Sequence, residues 1–163
     1  MDKNVGKGKA MRLGAEKSWQ LGADGIIYMD GDNQHDPKHI PEFEKLLKNN
    51  DIVIGVRVLK TSVPWWRKLG HMIMVMLMRY LFEISLIDMM CGYRAFTKQG
   101  YQSISWTSDS YGVEIEALTK IGRNKIPFIT LVVDTIYHDK YKGFSLIDAI
   151  KILFQIPVWY LSK

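Results

Sequence analysis

The run Gly25-Ile26-Ile27-Tyr28-Met29 is almost wholly apolar and ends abruptly on acid at Asp30-Gly31-Asp32. So short a run belongs inside a sheet covered on both faces, where it reads as a buried strand of a parallel sheet. In open α/β sheets polar function gathers beyond the carboxyl ends of such strands. A second strand, Asp51 to Val56, repeats the pattern and ends at Arg57. Helical patterns alternate with them. Met11, Ala15 and Trp19 space a helix over 9–21 that stops at Gly22, and Asp36-Pro37 caps a helix with Ile40, Phe43 and Leu47 inward. A long helix is expected from Pro64 to about Glu83, a short strand over 92–96, a helix over 113–121 and a strand over 129–137. From Phe144 the chain reads as an apolar helix kinked at Pro157, with an aromatic end suited to a membrane interface. The fold class is therefore α/β.

No repeat or linker divides the 163 residues, so one domain over 1–163 is expected. With 47% hydrophobic residues the chain can bury a core, which excludes a disordered or collagen-like chain. The single Cys91 cannot form an internal disulfide, and together with the lack of an apolar leader it points to a reducing, cytoplasmic setting. The net charge is +5, and residues 51–70 supply much of it, with Arg57, Lys60, Arg67 and Lys68 set against Asp51. Beside Trp65 and Trp66, such a patch suits an anionic lipid surface, a phosphorylated substrate or nucleic acid, or else simply a solvated face. The centre of the long helix, Met72 to Met78, is apolar on every face. It falls far short of the roughly 18 apolar residues of a spanning helix, so it faces either the core or a membrane surface.

The chemistry concentrates in Asp30-Gly31-Asp32-Asn33-Gln34-His35-Asp36-Pro37. Three acids within seven residues at a strand end repel one another, and helix capping accounts only for Asp36. Asp30, Asp32 and the amide oxygen of Gln34 supply hard oxygen ligands at alternate positions for Mg²⁺ or Mn²⁺, with Gly31 permitting the turn. The context and the missing carboxylate at loop position 12 exclude an EF-hand. His35 beside a cap is read as structural before it is read as a ligand.

This segment resembles the metal-binding motif of family 2, GT-A fold glycosyltransferases, and is most similar to their dolichol-phosphate mannosyltransferase (polyprenyl-phosphate sugar transferase) branch. The Asn4-Val5-Gly6-Lys7-Gly8-Lys9-Ala10 segment, Gly55-Val56-Arg57, Trp66-Arg67 and Asp88-Met89-Met90-Cys91-Gly92-Tyr93-Arg94-Ala95-Phe96 resemble further motifs of that branch, in order. A weaker match is Lys142-Gly143-Phe144-Ser145.

The resemblance implies a partial GT-A, Rossmann-like mixed sheet flanked by helices. It implies metal-dependent, inverting transfer of a hexose from a nucleotide sugar of the GDP-mannose or UDP-glucose type. The implied acceptor is a polyprenyl or dolichyl phosphate, or another cell-envelope glycan. By matching motif, Asp30, Asp32 and Gln34 hold the metal, and Lys7, Asp30, Lys142 and Ser145 meet the donor diphosphate. Arg57 and Arg67 clasp the acceptor phosphate through forked donors. Arg94 joins them or braces the loop by pairing with Asp88. Asp88 is the candidate general base, or else a loop-organising carboxylate. Glu114 and Glu116 fall on a recurrent acidic position, with helix-surface charge explaining at least one of them.

Members of the family begin with a strand-helix-strand unit carrying the nucleotide-base pocket, whereas Met1-Asp2-Lys3-Asn4 leads straight into the Asn-x-Gly-Lys-Gly segment. The expectation is a chain incomplete at its N-terminus, nearly inactive alone, and peripheral at the inner face of the membrane, without nucleic acid as partner. The competing readings are a non-catalytic membrane-surface binding fragment, which leaves Asp30 and Asp32 unexplained, and a metal-dependent phosphotransferase, which usually recruits further carboxylates.

Overall fold

A computed structural model describes residues 4–57, 65–110, 112–134 and 146–161, side chains excepted at 65–68 and 146–150. Helix α1 (Lys7–Gln20) ends where Gly22, at φ +83°, lets Ala23 N–H donate back to Ser18 O at 3.1 Å. Strand β1 (Gly25–Tyr28) leads to the acidic turn. There the Asp36 carboxylate accepts from Lys38 N–H at 3.0 Å, and Pro37 opens a single 3₁₀ turn that runs into α2 (Ile40–Leu47). Strand β2 (Ile52–Arg57), helix α3 (Trp65–Phe82), strand β3 (Arg94–Thr97) and helix α4 (Lys98–Ser103) follow. Sequence patterning does not anticipate α4, a short six-residue helix capped by Thr97 Oγ1, which accepts from Gly100 N–H at 3.1 Å. The chain continues through α5 (Val113–Arg123), β4 (Ile129–Val133) and α6 (Leu146–Leu161), the last running through Pro157. The remainder of the strand expected over 129–137 lies outside the described residues, apart from Asp134.

The four described strands form one mixed sheet in the order β1-β3-β2-β4. Here the structure departs from the parallel pattern read for β1. Strand β3 inserts between β1 and β2, antiparallel to both, pairing Tyr28 with Arg94 on one side and Ile54 with Arg94 on the other. Only β2 and β4 pair in parallel. The insertion sets the ends of β1 and β2 and the start of β3 along one rim of the sheet.

Strand β2 is central and alternates as a two-faced strand must. Ile52 and Ile54 join Phe96, Met78, Phe82 and the inner faces of α1, α5 and α6 in the larger core. Val53 turns the other way, to Phe43 of α2 with Tyr93, Ala95 and Leu131. Each such fully buried side chain contributes roughly 1.5–3 kcal/mol.

The methionine-rich helix divides between the two roles open to it. Met78 and Phe82 are buried, whereas Met72, Met76 (63% exposed) and Tyr80 (86%) are not. On α6, Ile152 and Ile156 point inward while Phe154 (78%) and Leu161 face out. The two helices meet where the rings of Phe82 and Tyr160 pack edge-on at 5.8 Å. Among the described residues no helix is long and apolar enough to cross a membrane.

Candidate active site

Asp30 follows β1 on the rim created by the insertion of β3, and its carboxylate is met from below by Lys7, the first residue of α1. Lys7 Nζ lies 2.6 Å from Asp30 Oδ1 and 2.5 Å from Glu114 Oε1. Burial works against the ammonium, but the Glu114 and Asp30 carboxylates outweigh it and hold the Lys7 pKa above its ordinary value. Glu114 is buried at the start of α5, and its Oε2 has no hydrogen-bond partner among the described residues. A cleft of about 230 Å³ opens beside this group, between Lys7, Met11, Tyr28, Asp30, Gly31 and Gly92.

The Gly-Lys-Gly of the α1 entry is explained by what lies against it. A Cβ at Gly6 or at Gly8 would run into the backbone carbonyl of Asp109 or of Ser108, and Gly6 sits at φ +85°. Gly8 N–H donates to Asp109 O at 3.0 Å, Trp106 Nε1 donates to Gly8 O at 3.1 Å, and Arg12 Nη1 donates to Ser108 O at 2.9 Å. The 107–109 loop is in turn held by Glu116. One of its oxygens accepts from Thr107 N–H at 2.8 Å, and the other from Ser108 N–H at 2.9 Å and Ser108 Oγ at 2.5 Å. Burial would raise the Glu116 pKa, yet the Ser108 and Thr107 donors bring it below the ordinary range. Neither Glu114 nor Glu116 is therefore helix-surface charge. Both are buried, one holding Lys7 and the other the loop beneath α1. The sequence signal was available: two acids alternate with Val113, Ile115 and Ala117, which a solvated face would not do.

Asp32 and Gln34 sit in the exposed turn beyond Asp30, where Asp32 Oδ1 accepts from Gln34 N–H at 3.0 Å. The left-handed position of that turn is Asn33, at φ 64°, rather than Gly31. His35 folds back under it, buried, its Nδ1 accepting from Asp30 N–H at 3.2 Å and its ring stacked on Tyr93. Burial lowers the His35 pKa despite nearby Asp30, which fits an acceptor role. Among the described residues no three His, Cys, Asp or Glu side chains group into a closed cage. The site nevertheless fits a cation of the Mg²⁺ or Mn²⁺ kind, which takes one or two carboxylates and completes its shell from phosphate and water. An ammonium already stands at Asp30, and Gly92 leaves the carboxylate room that any Cβ would fill.

On the same rim Arg57, the last residue of β2, is fixed by Asp88. Arg57 Nε and Nη2 donate to the two Asp88 oxygens at 2.6 and 2.9 Å, and the Arg57 and Met90 N–H groups donate at 3.1 and 3.3 Å. Burial would raise the Asp88 pKa, but this bidentate pair drives it below the ordinary value. Arg94 requires a correction to its place among the phosphate-binding residues. It is fully buried, and its guanidinium donates to the carbonyls of Cys91 (2.9 Å), Glu114 (2.9 Å) and Met89 (2.7 Å). It braces the 88–92 loop through these carbonyls and not through Asp88. The side chain of Arg67, and Lys142 and Ser145 entirely, lie outside the described residues.

The sequence model of glycosyl transferase family 2 matches residues 1–106, across the α1 entry, the acidic turn and the Asp88–Arg94 loop. The chain belongs to that family. It is 26% identical to the UDP-N-acetylglucosamine–dolichyl-phosphate N-acetylglucosaminyltransferase of Methanococcus voltae, over 99% of this chain and 68% of that protein. It is also 26% identical to the undecaprenyl-phosphate mannosyltransferase of Micrococcus luteus, over 72% of this chain and 51% of that one. Its fold is that of the glucosyl-3-phosphoglycerate synthase of Mycobacterium tuberculosis, solved with Mn²⁺, UDP and phosphoglyceric acid. The TM-score is 0.73 at 16% identity, over 97% of this chain. The family 2 chain spans 55% of that structure. The mixed sheet with helices on both faces is thus the GT-A fold expected from sequence.

Proposed function

We propose that the protein transfers a hexose, with inversion, from a nucleotide sugar to a polyprenyl phosphate. The observation that carries this reading is the pairing, on one sheet rim, of a cation-holding carboxylate (Asp30) with an arginine aimed by a buried acid (Arg57 on Asp88). The two relatives that are named for dolichyl-phosphate and undecaprenyl-phosphate transfer support the acceptor class, and the Mn²⁺ and UDP of the solved neighbour support the donor class. In the reaction an acceptor phosphate oxygen attacks the anomeric carbon as the bond to the donor diphosphate breaks, and the nucleoside diphosphate leaves with the electron pair. A divalent cation, when bound, neutralises the charge that develops on that diphosphate.

The chain's own residues do the rest. Asp30, with Asp32 and Gln34 in the turn, holds the cation, and Lys7 faces the diphosphate. Arg57, its guanidinium oriented by Asp88, binds the acceptor phosphate by charge-assisted bonds. Because the acceptor phosphate is ionised at neutral pH, no strong base is required, and the low pKa of Asp88 suits it to orienting Arg57. Arg67, Lys142 and Ser145 complete the two phosphate sites in this reading. The outward apolar residues of α3 and α6 rest on the inner membrane surface, where the lipid acceptor is presented.

The test is transfer of labelled sugar from GDP-mannose, UDP-glucose or UDP-N-acetylglucosamine to polyprenyl phosphate, with protein in excess over donor and Mn²⁺ or Mg²⁺ present. Label should enter the lipid phosphate and not a neutral saccharide, and Arg57→Ala should raise the acceptor concentration needed for half-maximal single-turnover rate more than the protein concentration needed to capture the donor. Transfer to neutral acceptors alone, unaffected by Arg57→Ala, would overturn the acceptor assignment.

A further inference from the structure

The Lys7 ammonium lies between two carboxylates of unlike surroundings. Asp30 is on the cleft and partly open to solvent, whereas Glu114 is buried beneath it. Glu114 Oε2 has no hydrogen-bond partner among the described residues. A buried carboxylate left half-unsatisfied is costly unless a cation is kept beside it. Lys7 is the one cation within salt-bridge range of it among the described residues. Its position is itself fixed from below, since Gly6 and Gly8 seat α1 on the 107–109 loop and Glu116 clamps that loop. The arrangement is therefore asymmetric: the Asp30 carboxylate is open to the cleft, and that of Glu114 is closed off from bulk solvent.

We infer that Glu114 is a positioning residue that holds Lys7, so that the ammonium fills the cation place at Asp30 and yields Asp30, but not Glu114, to an arriving divalent metal. The inference rests on the assignment of Asp30 to the cation. It gives the buried acid at position 114 a task that neither helix capping nor surface charge supplies. It also keeps a positive charge at the cleft after the metal has taken Asp30, where a diphosphate would meet both.

The experiment is a Mn²⁺ titration followed by electron paramagnetic resonance, on the full chain, with no nucleotide present. Lys7→Met removes the competitor and should tighten Mn²⁺ roughly tenfold, the size of one charge-assisted contact. Glu114→Gln leaves Lys7 with Asp30 as its remaining carboxylate and should weaken Mn²⁺ severalfold. The double variant should bind like Lys7→Met, because Glu114 acts through Lys7. It removes both charges at once and so avoids the unpaired buried acid that can unfold Lys7→Met. A merely structural pair would lose stability in both single variants without shifting Mn²⁺ affinity in opposite directions. Equal Mn²⁺ binding by all four proteins, or additive effects in the double variant, would overturn the inference and leave the metal assignment standing. No Mn²⁺ binding by any of them would overturn both.

Discussion

Gly92 and Asp30 are packed so closely that a Cβ on residue 92 would stand 2.6 Å from Asp30 Oδ1 and 2.5 Å from its Cγ. The atoms in the way are the end of one side chain, which can swing aside. Gly122→Ala is different in kind, since its Cβ would strike the backbone carbonyl of Phe82. Gly92→Ala should therefore cost less than about 1 kcal/mol in urea unfolding, and Gly122→Ala about 1–3 kcal/mol. Gly92→Ala should nonetheless weaken Mn²⁺, because the displaced carboxylate leaves its place at the cleft. Equal stability losses would make Gly92 a packing residue and remove it from the site.

Asp88 gives the acid limb of the stability curve. Its folded pKa lies below the ordinary 3.8, so its contribution is fully present above that value and is lost as pH falls through the lower folded pKa. Asp88→Asn breaks a buried pair and should cost about 3–5 kcal/mol at pH 7. The gap between wild type and variant should hold from about pH 7 to pH 5 and narrow below about pH 4. Urea midpoints measured across that range check it, and a gap independent of pH down to about pH 2 would dissociate Asp88 from the titration.

Glu116 provides a local readout. Glu116→Ala strips the partners from the Thr107 and Ser108 N–H groups and should cost about 1–3 kcal/mol. Amide exchange should quicken first at 107–109 and then at 6–9, since Gly8 donates to Asp109 O. Faster exchange at 107–109 alone would show that α1 holds its own entry and does not lean on the loop.

Much of this was legible in the sequence because local chemistry declared it. Asp36-Pro37 read as a capped turn and folds as one, and Gly22 stops α1. The acids after the first apolar run mark the rim of the sheet as read. What failed was long-range. Nothing local tells β1 that an antiparallel strand whose residues pair with it from 66 to 72 positions later will separate it from β2, and the parallel pattern of β1 went with that. Arg94 looks like a phosphate ligand in the chain, because its three carbonyl partners come from the 88–92 loop and from α5, a helix beyond it. The alternation of Glu114 and Glu116 with apolar residues signals that they do not share one solvated face, but the partner of Glu114 is hidden for a related reason. Lys7 is more than a hundred residues away, and nothing local names an ion-pair partner at that distance.

The outward residues of α3 and α6 furnish the last prediction. Met76, Tyr80, Phe154 and Leu161 are large, apolar and mostly exposed, on two helices that touch at Phe82 and Tyr160. Exposed apolar side chains of this kind suit an interaction surface, and the lipid-phosphate acceptor proposed above would bring a membrane to them. The chain should co-sediment with anionic liposomes at low salt and be only partly released by high salt. Salt screens the basic contribution, about 1 kcal/mol per Lys or Arg near the surface, but not the buried apolar one. Met76→Asp with Phe154→Asp should abolish the salt-resistant fraction while leaving the melting temperature within a few degrees, because neither side chain supports the core. Retention of this double variant on liposomes in high salt would place the lipid contact elsewhere on the protein. Complete loss of wild-type binding at high salt would make the attraction electrostatic alone and leave these helices without a membrane role.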